Sequence, residues 1–193
     1  MPIETVIREC TACELCCHAD LRLMGMGAIP APIMVISEAP SGKDLMRRRL
    51  FSDPFGQYLL KNLVAAGYKQ NDVYLTTLLK CPIKADQSMP ATGVMTCLSF
   101  LHEQIRQVKP KVIITLGSTV FSSLVTAKKK AKLTTIHGDT FVMNGINIVP
   151  TYHPSFVVTS DKDLRKKEFY KDLWRVHEMV FGVVGLHKKW PLK

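Results

Sequence analysis

Four strand-length runs, Ile33-Met34-Val35-Ile36, Val73-Tyr74-Leu75, Val112-Ile113-Ile114-Thr115-Leu116 and Ile146 to Val149, are almost continuously apolar and rich in β-branched residues. A strand with one wet face alternates polar with apolar; an unbroken run needs cover on both faces, which is the situation of a parallel sheet between helices. The segments between the runs carry helical spacing instead. Gln57 to Ala66 sets Leu59, Leu60 and Leu63 on one side, and Val94, Cys97, Leu98, Leu101, Ile105 and Val108 step at helical intervals until Pro110 stops them. Ser118 to Val125 follows Gly117 directly, and from Asp161 to Val180 an apolar stripe of Leu164, Phe169, Leu173, Val176 and Val180 lies beneath a basic face, predicting a closing helix. The alternation predicts a three-layer α/β/α sandwich around a central, mostly parallel four-stranded sheet. Asn144-Gly145, between Thr140–Met143 and Ile146–Val149, predicts a tight hairpin, because both central residues of a type I′ turn need positive φ.

A chain of 193 residues suits one α/β domain, expected over residues 1–181, with 182–193 as a weakly patterned tail. No apolar run approaches the ~20 residues that span a bilayer, and the first residues lack the apolar stretch of a secretory signal. A cytoplasmic monomer without a membrane partner is expected. Lysine and arginine number 26 against 16 acidic residues, a net charge of +10, and such an excess points to a polyanionic partner, foremost nucleic acid. The charge is spread over Arg47-Arg48-Arg49, Lys128 to Lys132, Lys162 to Lys171 and Lys188-Lys189.

Cysteines supply the first chemical signal. Cys10 and Cys13 form a Cys-x-x-Cys pair, and Cys81 and Cys97 stand further on with fifteen residues between them. In a reducing compartment such a set reads as soft metal ligands rather than as disulfides. Four thiolates suit a tetrahedral zinc or an iron–sulfur cluster; the long Pro82- and Pro90-bearing loop favours the bulkier cluster, and zinc stays open. Cys16 and Cys17 complicate the first half, since Cys13-x-x-Cys16 is a competing pair.

In open α/β sheets a ligand lies beyond the carboxyl ends of the strands. There the chain carries Ser37-Glu38-Ala39-Pro40-Ser41-Gly42, Thr76 to Cys81, Gly117-Ser118, and Thr151-Tyr152-His153-Pro154-Ser155. A carboxylate, an imidazole, small residues and a cysteine are thus gathered at one edge. Together with Cys10-x-x-Cys13, Phe51, Gly56-Gln57-Tyr58-Leu59, Lys109-Pro110-Lys111-Val112-Ile113 and Leu116-Gly117, these segments resemble the iron–sulfur, or family 4, uracil-DNA glycosylases from about Cys10 to Trp174.

The resemblance implies a base-excision-repair enzyme acting on uracil, or a related damaged base, in single- or double-stranded DNA. It implies a structural [4Fe–4S] cluster on Cys10, Cys13, Cys81 and Cys97, Phe51 stacked on a flipped base, and Glu38 and the Ala39 backbone toward sugar and base. His153 would donate to the base O2 as charge develops there. Thr77 stands where the family has the asparagine that reads the uracil edge, and Asp86 stands where it has another asparagine; as a carboxylate Asp86 can orient water. Ser37 and Ser41 replace glycines, and Thr159 an arginine. These departures imply altered base selectivity, and as the alternative a weakly catalytic or non-catalytic DNA-binding member of the family.

Overall fold

The computed structural model of the chain describes residues 3–18, 21–84, 88–125, 132–160 and 163–182, with the backbone alone for Cys17 and His18. In chain order the elements are α1 (Ile3–Arg8), a 3-10 turn Glu14–His18, β1 (Met26–Gly27), β2 (Ile33–Ser37), α2 (Gly42–Arg47) and α3 (Pro54–Ala65). There follow β3 (Val73–Thr77), α4 (Ala91–Val108), β4 (Val112–Leu116), α5 (Ser118–Leu124), α6 (Leu133–Ile136), β5 (Phe141–Met143), β6 (Ile146–Thr151), α7 (Pro154–Val158) and α8 (Asp163–Phe181).

The sheet order is β1-β3-β2-β4-β6-β5. Its four inner strands, β3, β2, β4 and β6, run parallel, as the continuous apolar runs require, and β2, β3 and β4 are buried at every residue. The expected four-stranded sheet is therefore the parallel centre of a six-stranded one. The hairpin supplies one antiparallel edge, with Asn144 and Gly145 both at positive φ. The other edge, β1 against β3, is only two residues long, too short for any periodic signal.

Side chains that alternate across the strands feed two separate cores. Ile33, Val35, Leu75 and Ile114 pack with Leu59 and Leu63 of α3 and Phe169, Leu173 and Val176 of α8. Met34, Ile36, Ile113 and Ile148 pack on the other side with Leu101 and Ile105 of α4 and Phe121 of α5. The result is the three-layer sandwich. Helix α4 ends at Lys109 in the left-handed region, immediately before Pro110, as the sequence pattern expected. Among the described residues no helix is long and apolar enough to cross a membrane.

Candidate active site

Parallel strands deliver their carboxyl ends to one edge, and the site is built there. Leu78 and Leu79 N–H groups donate to the Ser37 and Glu38 carbonyls at 2.7 and 2.9 Å, tying the loop after β3 to the loop after β2. Beside this joint a cavity of about 100 Å³ is lined by Ser37, Ala39, Phe51, Thr77 and His153, together with Ser41, Asp44 and Asp53. Ala39, Phe51, Thr77 and His153 thus meet in one small space. Glu38 does not line it. It lies in an adjoining open cleft of about 740 Å³ with Gly117, Ser118 and Tyr152, and His153 borders both.

Phe51 is 7% exposed and held at φ 57°, left-handed backbone that a bulky residue adopts only under constraint. The constraint is local. Gln57 donates to the Phe51 carbonyl at 2.8 Å, Asp53 caps α3 by accepting from the Gly56 N–H at 2.7 Å, and a Cβ on Gly56 would run into the Phe51 backbone. Asp44, whose capping box with Ser41 opens α2, reaches over with its other oxygen to accept the Ser52 N–H at 2.6 Å. The α2–α3 connection is therefore a fixed wall of the cavity.

His153 caps α7, its Nδ1 accepting from the Ser155 N–H at 3.3 Å and the Ser155 hydroxyl at 2.7 Å. A ring nitrogen that accepts carries no proton, so the hydrogen sits on Nε2, which donates to the Ser37 Oγ at 3.1 Å. Burial pulls the imidazole below its ordinary range, against the opposing charges of Glu38 and Asp53. A neutral donor thus faces the cavity. On the same cavity, the Thr77 hydroxyl is buried and has no hydrogen-bond partner among the described residues. A buried polar group left unmatched costs about 1–3 kcal/mol, so its natural complement is a ligand.

Lys80, 1% exposed, donates to Thr76 Oγ1 at 3.0 Å, to Gln104 Oε1 at 2.8 Å and to the Thr77 carbonyl. All three ammonium hydrogens are matched, although burial lowers its pKa to about 7. It fixes the backbone of Thr77 from below.

The neighbouring residue Cys81 opens the metal question. Cys81 and Cys97 pack with Leu15, Leu79 and Cys13 in a small cluster of their own, beside α4. Burial pushes the Cys81 thiol up to about 11; Arg22 pulls against it, and Cys97, Cys13 and Cys10 push with it. The same two thiols, Cys13 and Cys10, act on Cys97. The four sequence-predicted ligands are therefore neighbours. Among the described residues no three His, Cys, Asp or Glu side chains converge as they would on a single ion. Four soft thiols in one region are a donor set whose chemistry suits either a zinc ion or an iron–sulfur centre.

Asp86 lies outside the described residues, as do Lys128 to Lys130, Lys162, and residues 183–193 of the expected tail. In the sequence Ser37 stands out only as a glycine replacement, and nothing marks Lys80 as a site residue. Neither partnership has a local signature, since Ser37 meets His153 across 116 positions and Lys80 meets Gln104 across 24.

An α/β sheet whose carboxyl edge holds an aromatic and an imidazole on a small cavity, with a carboxylate in the adjoining cleft, has the parts that holding an extruded base requires. Residues 24–176 match the profile of the Uracil DNA glycosylase superfamily, and the chain belongs to it. It is 26% identical over 175 residues to the type-4 uracil-DNA glycosylase of Thermotoga maritima, covering 90% of this chain and 91% of that one. The type-4 uracil-DNA glycosylase of Pyrobaculum aerophilum is 28% identical over 186 residues, 93% of this chain and 92% of its own. A type-5 uracil-DNA glycosylase of the same organism is 25% identical over 144 residues, 67% and 63% of the two chains.

Proposed function

We propose that this chain is a DNA glycosylase of base excision repair that hydrolyses the N-glycosidic bond of uracil, acting as a monomer on single- or double-stranded DNA. The observation that carries the reading is the cavity in which Phe51, Thr77 and the neutral His153 meet, with Glu38 in the adjoining cleft. A base inside a duplex is out of reach, so it is swung out and held by stacking and edge contacts. Phe51 supplies the stacking surface and the Ala39 backbone borders the ring. Water adds to C1′ and releases a proton while the C1′–N1 bond breaks and its electron pair passes to the base, which takes up a proton in turn as it leaves. Positive charge grows on the sugar, where Glu38 opposes it, and negative charge on the base O2, where His153 Nε2–H donates. Asp86 is assigned the orientation of the water.

Cys10, Cys13, Cys81 and Cys97 would hold a [4Fe–4S] cluster. When bound, it supplies a rigid tie between the N-terminal segment and the loop that leads from Thr77 to α4, with no part in bond cleavage. A second reading, a slow enzyme or a binding protein with altered base preference, is favoured by the Ser37 hydroxyl. It occupies the donor of His153 that the base needs.

The test is excision from oligonucleotides carrying uracil, hypoxanthine, hydroxymethyluracil or thymine. Uracil excision by the unaltered chain, falling by about 100-fold in His153→Ala as expected for one lost transition-state donor, supports the first reading. DNA binding with no excision of any of the four bases supports the second.

A further inference from the structure

Behind the wall that closes the base cavity lies a second and larger hollow, about 780 Å³, which the proposed reaction does not use. Four arginines line it, Arg8 from α1, Arg22 from the segment before β1, and Arg48 and Arg49 from the turn after α2. Among the described residues that line it there is no carboxylate. Between the arginines the surface is apolar and half-buried, with Met24 and Met26 on one side and Leu45 on the other.

The position of this groove is set by the same elements as the cavity. Helix α2 and its following turn are the partition: Asp44 and Phe51 face the cavity, while Leu45, Arg48 and Leu50 face the groove. The partition is rigid, because the Arg49 N–H donates to the Asp44 carbonyl at 2.9 Å and the Ser52 hydroxyl to the Arg49 carbonyl at 2.7 Å. The opposite wall is fixed to the same edge of the sheet by the Leu23 N–H, which donates to the Lys80 carbonyl at 3.0 Å.

We infer that this groove holds a single, unpaired DNA strand running away from the base cavity, its phosphates on the guanidinium groups of Arg8, Arg48 and Arg49 and its base faces on the methionine and leucine floor. The inference rests on the reading of the cavity as a base site. Guanidinium groups match phosphate oxygens two at a time, and a groove that gathers four of them on walls without a carboxylate is strongly electropositive. A duplex presents phosphates but keeps its base faces stacked inside, leaving the floor uncovered. An unpaired strand offers both, and thioethers make favourable contacts with aromatic rings.

The experiment measures binding by fluorescence anisotropy with a labelled, uracil-free thymine strand of about 15 nucleotides, within the range that single-strand sites occupy, and with its duplex. Arg48→Gln combined with Arg49→Gln is compared with Lys167→Gln combined with Lys171→Gln, which removes equal charge from α8. The arginine pair should weaken single-strand binding about tenfold at low salt and lower its salt slope by roughly 1.4, two phosphate contacts' worth for a single strand. The duplex should change by no more than about threefold, since its phosphates engage elsewhere. Arg48→Lys with Arg49→Lys keeps the charge but not the two-pronged contact, so it should restore the salt slope and part of the affinity, which separates charge from misfolding.

Equal losses from the two pairs of variants, or equal losses on strand and duplex, overturn the inference. So does unchanged single-strand binding, which would leave the groove to an acidic protein surface. If the unaltered chain excises no uracil, the glycosylase reading fails; if excision is intact and the arginine pair leaves strand binding untouched, the groove alone fails.

Discussion

The tautomer of His153 is fixed by geometry, and that fixes how the site should respond to pH. Nδ1 accepts from the Ser155 N–H, so a second proton has to displace that donor and turn the Ser155 hydroxyl round to accept, and burial already opposes the charged ring. Its pKa is lowered, so the ring stays neutral as pH falls through the ordinary imidazole value of 6.5; below it, the proton gained at Nδ1 leaves Nε2–H in place but breaks the bond from the Ser155 N–H that aims the ring. Single-turnover excision should accordingly stay level across that value and fall at more acid pH; a fall centred at or above it would show a different group in control. Thr77 gives a second test at this scale. Its unmatched hydroxyl pairs with one position of a pyrimidine edge, whereas an amide pairs with a donor and an acceptor together. Thr77→Asn should raise excision of uracil relative to cytosine about tenfold or more, the range in which an unpaired buried polar group rejects the wrong ligand. An unchanged ratio would mean that this edge of the base is read by another residue.

Helix α3 shows how an element carries the site. Asp53 caps it, Pro54 starts it, and Gly56 sits in its first turn against the backbone of Phe51. In an open helix Gly→Ala gains about 1 kcal/mol. Here the new methyl meets main chain, which has no rotamer to swing aside, and such overpacking costs about 1–3 kcal/mol. Gly56→Ala should therefore lower the melting temperature and, because Phe51 is what moves, reduce excision far more than stability. A stabilised and fully active variant would show that the turn relaxes freely. Much at this scale was legible in the sequence. The parallel strands announced themselves by runs too apolar to face water, the hairpin by Asn144-Gly145, and the end of α4 by Pro110. What stayed hidden was β1, held by pairing with Met26↔Leu75 rather than by any pattern of its own. The partition between cavity and groove was equally hidden, because only tertiary packing sends Asp44 and Leu45, adjacent in sequence, to opposite hollows.

On the scale of the whole molecule, the cysteines join parts of the chain that the sheet does not. Cys13 and Cys81 are 68 positions apart, and Cys10, Cys13 and the helix α1 before them have no strand to hold them. α1 meets α4 instead, and the thiols complete that contact beside Leu15 and Leu79. A centre ligated by all four residues closes a loop of this length, and the chain-entropy estimate for such closure is about 4 kcal/mol. For a chain of this size that corresponds to a shift of roughly 10 °C in melting temperature. Anaerobically purified protein should be brown, with about four irons per chain, and Cys81→Ala should lose both colour and that margin of stability. Cys16→Ala should lose neither, since Cys10, Cys13, Cys81 and Cys97 already make a full set of four thiolates that act on one another. Thr77 and His153 sit at the ends of strands that the sheet holds without the centre, and Phe51 is held by the α2–α3 connection. Protein stripped of iron should therefore melt earlier yet retain the Phe51–His153 cavity, measured as residual binding of free uracil at low temperature. If stripping abolishes base binding at a temperature where the fold survives, the centre shapes the pocket through Lys80 and Thr77 and is more than a tie; stoichiometric zinc in colourless protein would refute the cluster itself.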